Sequence, residues 1–283
     1  MGNPEGFIYR NTEDERAYER TDLVLEEAHN RAVKVLENYK IKPENLSGVY
    51  SEEEIAGDNY EVRRLKEKFG EQPSKNYAEL LEAVIFEHGE LSEWFGPGAD
   101  LIKTSDFDDI KNGVDMVVGF KQGKDNFSNL ALGVDVTFGS KILSQKLEKI
   151  KKRIDKGKLG EIKYFDSELQ KKVGPLELPQ VVIGVEVETL REVGLLWMNR
   201  RNKELANHPI QAVILEETKR QLEAFKKYAE SQGKNDIAVI YTKDLAIIRR
   251  IIANKKDITL GKLVKDRVFL GIKDELDKLF SVS

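Results

Sequence analysis

Asp115 and Asp135 lie in two valine-rich segments, Gly113–Val117 and Gly133–Phe138, where a carboxylate calls for an explanation. Side chains of a β-strand alternate between its two faces. In the later segment Val134, Val136 and Phe138 share one face, while Asp135 and Thr137 share the other. In the earlier one Val114 and Met116 take the apolar face and Asp115 the opposite one. If the two strands pair as a hairpin, the carboxylates meet on one surface. Held that close they repel, and one takes up a proton unless a cation is bound. A hard divalent cation, Mg2+ (or Mn2+), relieves the repulsion by taking carboxylate oxygens while keeping several waters. Such a metal polarises a phosphoryl oxygen and lowers the pKa of a bound water. The plainer alternative is that both aspartates cap turns or pair with lysines. An acid inside a valine-rich strand fits that alternative less well.

The elements that must carry these residues can be read from periodicity. Thr12 to Tyr39 reads as an amphipathic helix, with Leu25, Ala28, Ala32, Val35, Leu36 and Tyr39 recurring at three- and four-residue steps. Ser51 with Glu54 has capping-box spacing and opens a second helix to Phe69. A third spans Tyr77 to Phe95 and ends at Gly96-Pro97-Gly98. Strands follow at Asp100–Thr104, Gly113–Phe120 and Leu130–Phe138, with a turn at Gln122–Ser128 between the last two. Lys141 to Lys156 is a helix that buries Ile142, Leu143, Leu147, Ile150 and Ile154. Ile162–Phe165 and Val181–Val187 read as further strands, then helices at Glu188–Met198, Pro209–Ser231, Lys243–Asn254 and Asp274–Phe280. The expected organisation is an N-terminal helical region (1–75), an α/β core with a mixed sheet (76–187), and a C-terminal helical region packed on it (188–283).

Composition narrows the chemistry further. The chain has no cysteine, which excludes disulfides, thiolate zinc sites and a cysteine nucleophile. Its three histidines, His29, His88 and His208, are far apart, and no zincin, P-loop, GxGxxG or GxSxG motif occurs. His88 faces the apolar stripe of its helix and reads as a packed core residue. No apolar run approaches the ~20 residues of a membrane span, and MGNPEGFIYR lacks a signal-peptide pattern, so no membrane partner and a cytoplasmic location are expected. The net charge is −4, yet Lys141 to Lys172 is rich in lysine, which can steer a polyanion. The acidic run Ser105-Asp106-Phe107-Asp108-Asp109 lacks the glycine and distant glutamate of an EF-hand, and reads as a turn that could support a metal from outside its ligand shell.

The element order and the two aspartates, in Asn112-Gly113-Val114-Asp115 and Gly133-Val134-Asp135-Val136-Thr137, resemble the PD-(D/E)XK nuclease-like superfamily over about residues 77–187. That resemblance implies an αβββαβ restriction-endonuclease-like core and Mg2+-dependent hydrolysis of phosphodiesters in DNA or RNA. It implies Asp115 as the first acid, Asp135 as the second, and a glutamate on the leading helix. Glu87, in Phe86-Glu87, is the first choice for that glutamate, ahead of Glu82 and Glu79. Thr137 stands where the family has a lysine. The resemblance allows that lysine to come from the following helix, where Lys146 is preferred to Lys141. The alternative it leaves open is a catalytically inactive member that binds nucleic acid or a protein partner. Separately, the terminal helices carry mixed charges that could pack on the core or mediate contacts in a homodimer.

Overall fold

The computed structural model describes residues 23–69, 73–122, 127–135 and 140–280. The expected helix start at Thr12, the break at Gly70, most of the Gln122–Ser128 turn, Thr137 and Gly139 lie outside the described residues. Three helices come first: α1 (Leu23–Tyr39), α2 (Glu52–Phe69) and α3 (Pro73–Leu91). Ser51 caps α2 as its spacing predicts, with Oγ accepting from the Glu54 N–H at 3.2 Å. The third helix stops four residues short of Phe95, because Glu93 and Gly96 both turn to positive φ.

The central sheet has the order β1-β2-β3-β8, from β1 (Ala99–Lys103), β2 (Met116–Lys121), β3 (Phe127–Asp135) and β8 (Gln180–Gly184). β1, β2 and β3 form an antiparallel meander, in which Lys103 faces Met116 and Met116 faces Leu132. β8 runs parallel to β3, with Asp135 opposite Gly184. Parallel neighbours need a long crossover. It contains α4 (Ser140–Asp155) and the short strands β4 (Gly160–Ile162), β5 (Asp166–Ser167), β6 (Lys172–Val173) and β7 (Leu176–Leu178). The chain then returns to helices: α5 (Val187–Met198), α6 (Asn202–Ala206), α7 (Ile210–Ser231), α8 (Asn235–Asn254) and α9 (Arg267–Phe280). The last begins seven residues before Asp274 because the Asp266 carboxylate accepts the N–H groups of Val268 and Phe269 and caps it.

β2 is buried on both faces, which is why Met116-Val117-Val118-Gly119-Phe120 is apolar throughout. Met116, Val118 and Phe120 enter the main core, which gathers α1, α3, α4, α5 and the C-terminal helices. Val117 enters a smaller core with Ile102, Val114, Ile162, Phe165 and Leu178. Val114 and Met116 therefore lie in different cores, contrary to the alternation expected from Gly113. The strand begins only at Met116, and Gly113, at φ 70°, closes a π-helical turn over Asp108–Asn112 just before it. Asp115 leads into β2 and does not sit within it.

Candidate metal centre

Four side chains meet at the end of the sheet where β1 finishes and β2 starts. Glu82 comes from the middle of α3, Lys103 ends β1, Asp109 belongs to the π-helical turn, and Asp115 precedes β2. One carboxylate oxygen from each of Glu82, Asp109 and Asp115 lies within 4.8 Å of the other two. The Lys103 ammonium is seated among them, 3.1 Å from Glu82 Oε2, 3.4 Å from Asp109 Oδ2 and 2.9 Å from the Asp115 carbonyl. Its side chain is only 4% exposed.

The loop carrying Asp109 and Asp115 is fixed by its neighbour Asp108. That buried carboxylate accepts the backbone N–H groups of Lys163 at 2.7 Å and Tyr164 at 3.0 Å. It also accepts from Ser105 Oγ and Asn112 Nδ2. Thr104 Oγ1 donates to the Val114 and Asp115 carbonyls. From α4, Lys149 donates to the carbonyls of Lys111 and Asn112, and Arg153 to that of Asn112. Asp106 is drawn outward to Lys40 and Lys66. Of the three acids in the SDFDD run, one therefore builds the loop, one ties it to the helices, and Asp109 faces the cluster.

Burial governs the electrostatics. It pushes Glu82 up to about 7, against the attraction of Lys103 and with added repulsion from Asp109. Burial also lifts Asp115 well above the usual carboxylate range, helped by Glu82 and Asp109 and opposed by Lys103 and Lys146. Burial alone would lower the Lys103 ammonium, but Glu82, Asp109 and Asp115 reverse that and hold it above its ordinary value. Beside the acids stands a crowd of cations. Burial and the charges of Arg153, Lys111 and Lys146 bring Lys149 down to about 8.

The residues expected from sequence divide accordingly. Asp115 is in the cluster and Lys146 is close enough for its charge to act on it. Asp135 ends β3, and because β3 runs antiparallel to β2 its backbone closes the same end of the sheet from which Asp115 starts. The Asp135 side chain, the Lys141 side chain and Thr137 lie outside the described residues. Glu87, the first choice from sequence, is not among the residues brought together here. Its Oε2 accepts from Trp197 Nε1 at 2.5 Å and lies 3.4 Å from Arg31, so it serves the packing of α3 against α1 and α5. Glu79 pairs with His29. Glu82, the second choice, is the glutamate at the cluster; Lys103 and Asp109 were not singled out as site residues. His88 is packed as expected, stacked on Trp94 with Nδ1 2.8 Å from Ser92 Oγ.

Compared with protein-family models, curated proteins and solved structures, the chain matches none. The donor set fits a hard cation: three carboxylates, with no sulfur and no imidazole among them.

Proposed function

We propose that the protein is a divalent-metal-dependent phosphodiesterase acting on nucleic acid, with a divergent PD-(D/E)XK-like site. The observation that carries this reading is the convergence of Glu82, Asp109 and Asp115 within 4.8 Å at one end of the sheet. The succession α3, β1, β2, β3, α4, β8, with β8 parallel to β3, supports the αβββαβ reading of the core. Mg2+ or Mn2+ held by Glu82, Asp109 and Asp115, with Asp135 as a further ligand, would supply Lewis acidity toward a phosphoryl oxygen and a more acidic bound water. The chain's own groups do the rest. Lys146, whose charge acts on Asp115, would stabilise a developing phosphate oxyanion. Lys152, Lys156 and Lys158 on or just after α4 are exposed and would meet backbone phosphates. Asp108 ties the acidic loop to the segment after β4.

The test is cleavage of plasmid, single-stranded DNA and RNA with Mg2+ or Mn2+ by wild type, Asp115→Asn and Asp135→Ala. Metal-dependent cleavage lost in both variants supports the reading; equal activity in all three removes it.

A second reading is favoured by one specific feature, the Lys103 ammonium among the carboxylates. In it the protein keeps the nuclease-like fold but only binds, to nucleic acid or to a protein partner. Salt-sensitive nucleic-acid binding without cleavage, and no heat of Mg2+ binding in calorimetry, would select it.

A further inference from the structure

We infer that Lys103 is a built-in counter-ion that keeps the Glu82–Asp109–Asp115 cluster assembled before metal arrives, and so sets how strongly the cluster draws a divalent cation. The inference rests on reading the cluster as a metal centre, but not on any cleavage activity. A lysine ammonium has three N–H donors and no acceptor. Lys103 directs its ammonium at three oxygens, those of Glu82, Asp109 and the Asp115 carbonyl, from a side chain closed off from solvent. Lysines at strand ends usually extend their charge into water. This one turns inward because the paired register places the end of β1 beside the start of β2, and Thr104 holds the carbonyls of Val114 and Asp115 in place.

Charge arithmetic gives the ammonium its role. Two buried carboxylates and a half-buried third, gathered without a cation, would be strongly unfavourable. One ammonium leaves two negative charges when all three acids are ionised, which matches one divalent ion. Removing Lys103 should therefore weaken the metal-free protein and sharpen its demand for metal. A lysine that merely fills space would give the first effect without the second.

The experiment uses the full chain and reads melting temperature and calorimetric affinity with MgCl2 or MnCl2 as the probe. Lys103→Met is expected to melt lower than wild type without metal. It should gain more from added Mg2+ and bind the ion about tenfold more tightly, since a positive charge close to the ligands is gone. Lys103→Arg should keep the wild-type metal response. A rise on adding metal no larger in Lys103→Met than in wild type overturns the inference. If Lys103→Met is insoluble even with metal, the double variant Lys103→Met with Glu82→Gln, which removes one charge of each sign, decides. Recovery of soluble protein supports the counter-ion, and continued insolubility overturns it. A wild type that cleaves nucleic acid while Lys103→Met shows no enhanced metal response would sink this inference alone. A protein that never cleaves would leave it standing.

Discussion

The side-chain amide of Gln221 pairs with the backbone of Val182 as a neighbouring strand would. Its Oε1 accepts the Val182 N–H at 2.8 Å and its Nε2 donates to the Val182 carbonyl at 2.5 Å. One turn earlier on α7, Glu217 Oε2 accepts the Gly184 N–H at 3.0 Å. β8 is an edge strand, and an uncovered edge is a template for unwanted pairing. Gln221→Leu leaves a buried N–H and C=O without these partners. It should cost about 2–4 kcal/mol in urea unfolding, from two orphaned backbone groups. A loss under half of that would mean the edge is satisfied in another way.

Asp244 on α8 gives a pH dependence. Burial raises its pKa to about 7, only partly offset by a hydrogen bond from Ser128, and its Oδ2 has no hydrogen-bond partner among the described residues. The folded value lies above the unfolded one near 3.8, so the folded state holds the proton more firmly. Its contribution is fully present below pH 3.8 and is lost as pH rises through 7. The loss is up to about 4 kcal/mol by the linkage relation. Asp244→Asn should therefore melt higher than wild type at pH 8, with the gap closing toward pH 4. Parallel pH profiles of the two proteins would refute this.

Asp108 is the residue on which the acidic loop is built. It accepts two backbone N–H groups from the segment after β4 and two side-chain donors from its own loop. Asp108→Ala orphans the Lys163 and Tyr164 amides and should cost about 2–5 kcal/mol. Because Asp109 and Asp115 flank the same turn, calorimetric Mg2+ affinity should fall together with stability. Retained affinity in a destabilised variant would show that the two aspartates are positioned independently of Asp108.

What could be read from sequence follows from the range of the interactions involved. Leu25, Ala28, Ala32 and Leu36, and later Leu143, Leu147, Ile150 and Ile154, are buried as their spacing requires, because a helix stripe is a local property. Asp115 was legible because valines surround it. Glu82 ranks only second in sequence for a physical reason. From Leu80 to Ile85 every residue of α3 is buried, so this stretch has no solvent face and a single apolar stripe cannot show where a polar side chain points. Asp109 is oriented by a loop that closes on Lys163 and Tyr164, more than fifty residues away in sequence. Lys103 could have been noticed only as a charge ending Ala99-Asp100-Leu101-Ile102, and nothing local says that it turns inward.

The choice between Glu82 and Glu87 can be settled by comparing two variants. Glu82→Gln removes a carboxylate within 4.8 Å of Asp109 and Asp115, together with a partner of Lys103. It should lower Mg2+ affinity at least about tenfold, since one anionic ligand is lost. Its stability should change less than its affinity, because burial already penalises the ionised glutamate. Glu87→Gln keeps an acceptor for the Trp197 indole but loses the charge opposite Arg31, whose guanidinium also stacks over the Trp197 ring at 4.0 Å. This pair is partly exposed, so the cost should stay within about 1 kcal/mol, with metal affinity unchanged. The opposite pattern, affinity lost in Glu87→Gln and kept in Glu82→Gln, would return the leading glutamate to Glu87 and separate the buried cluster from the metal.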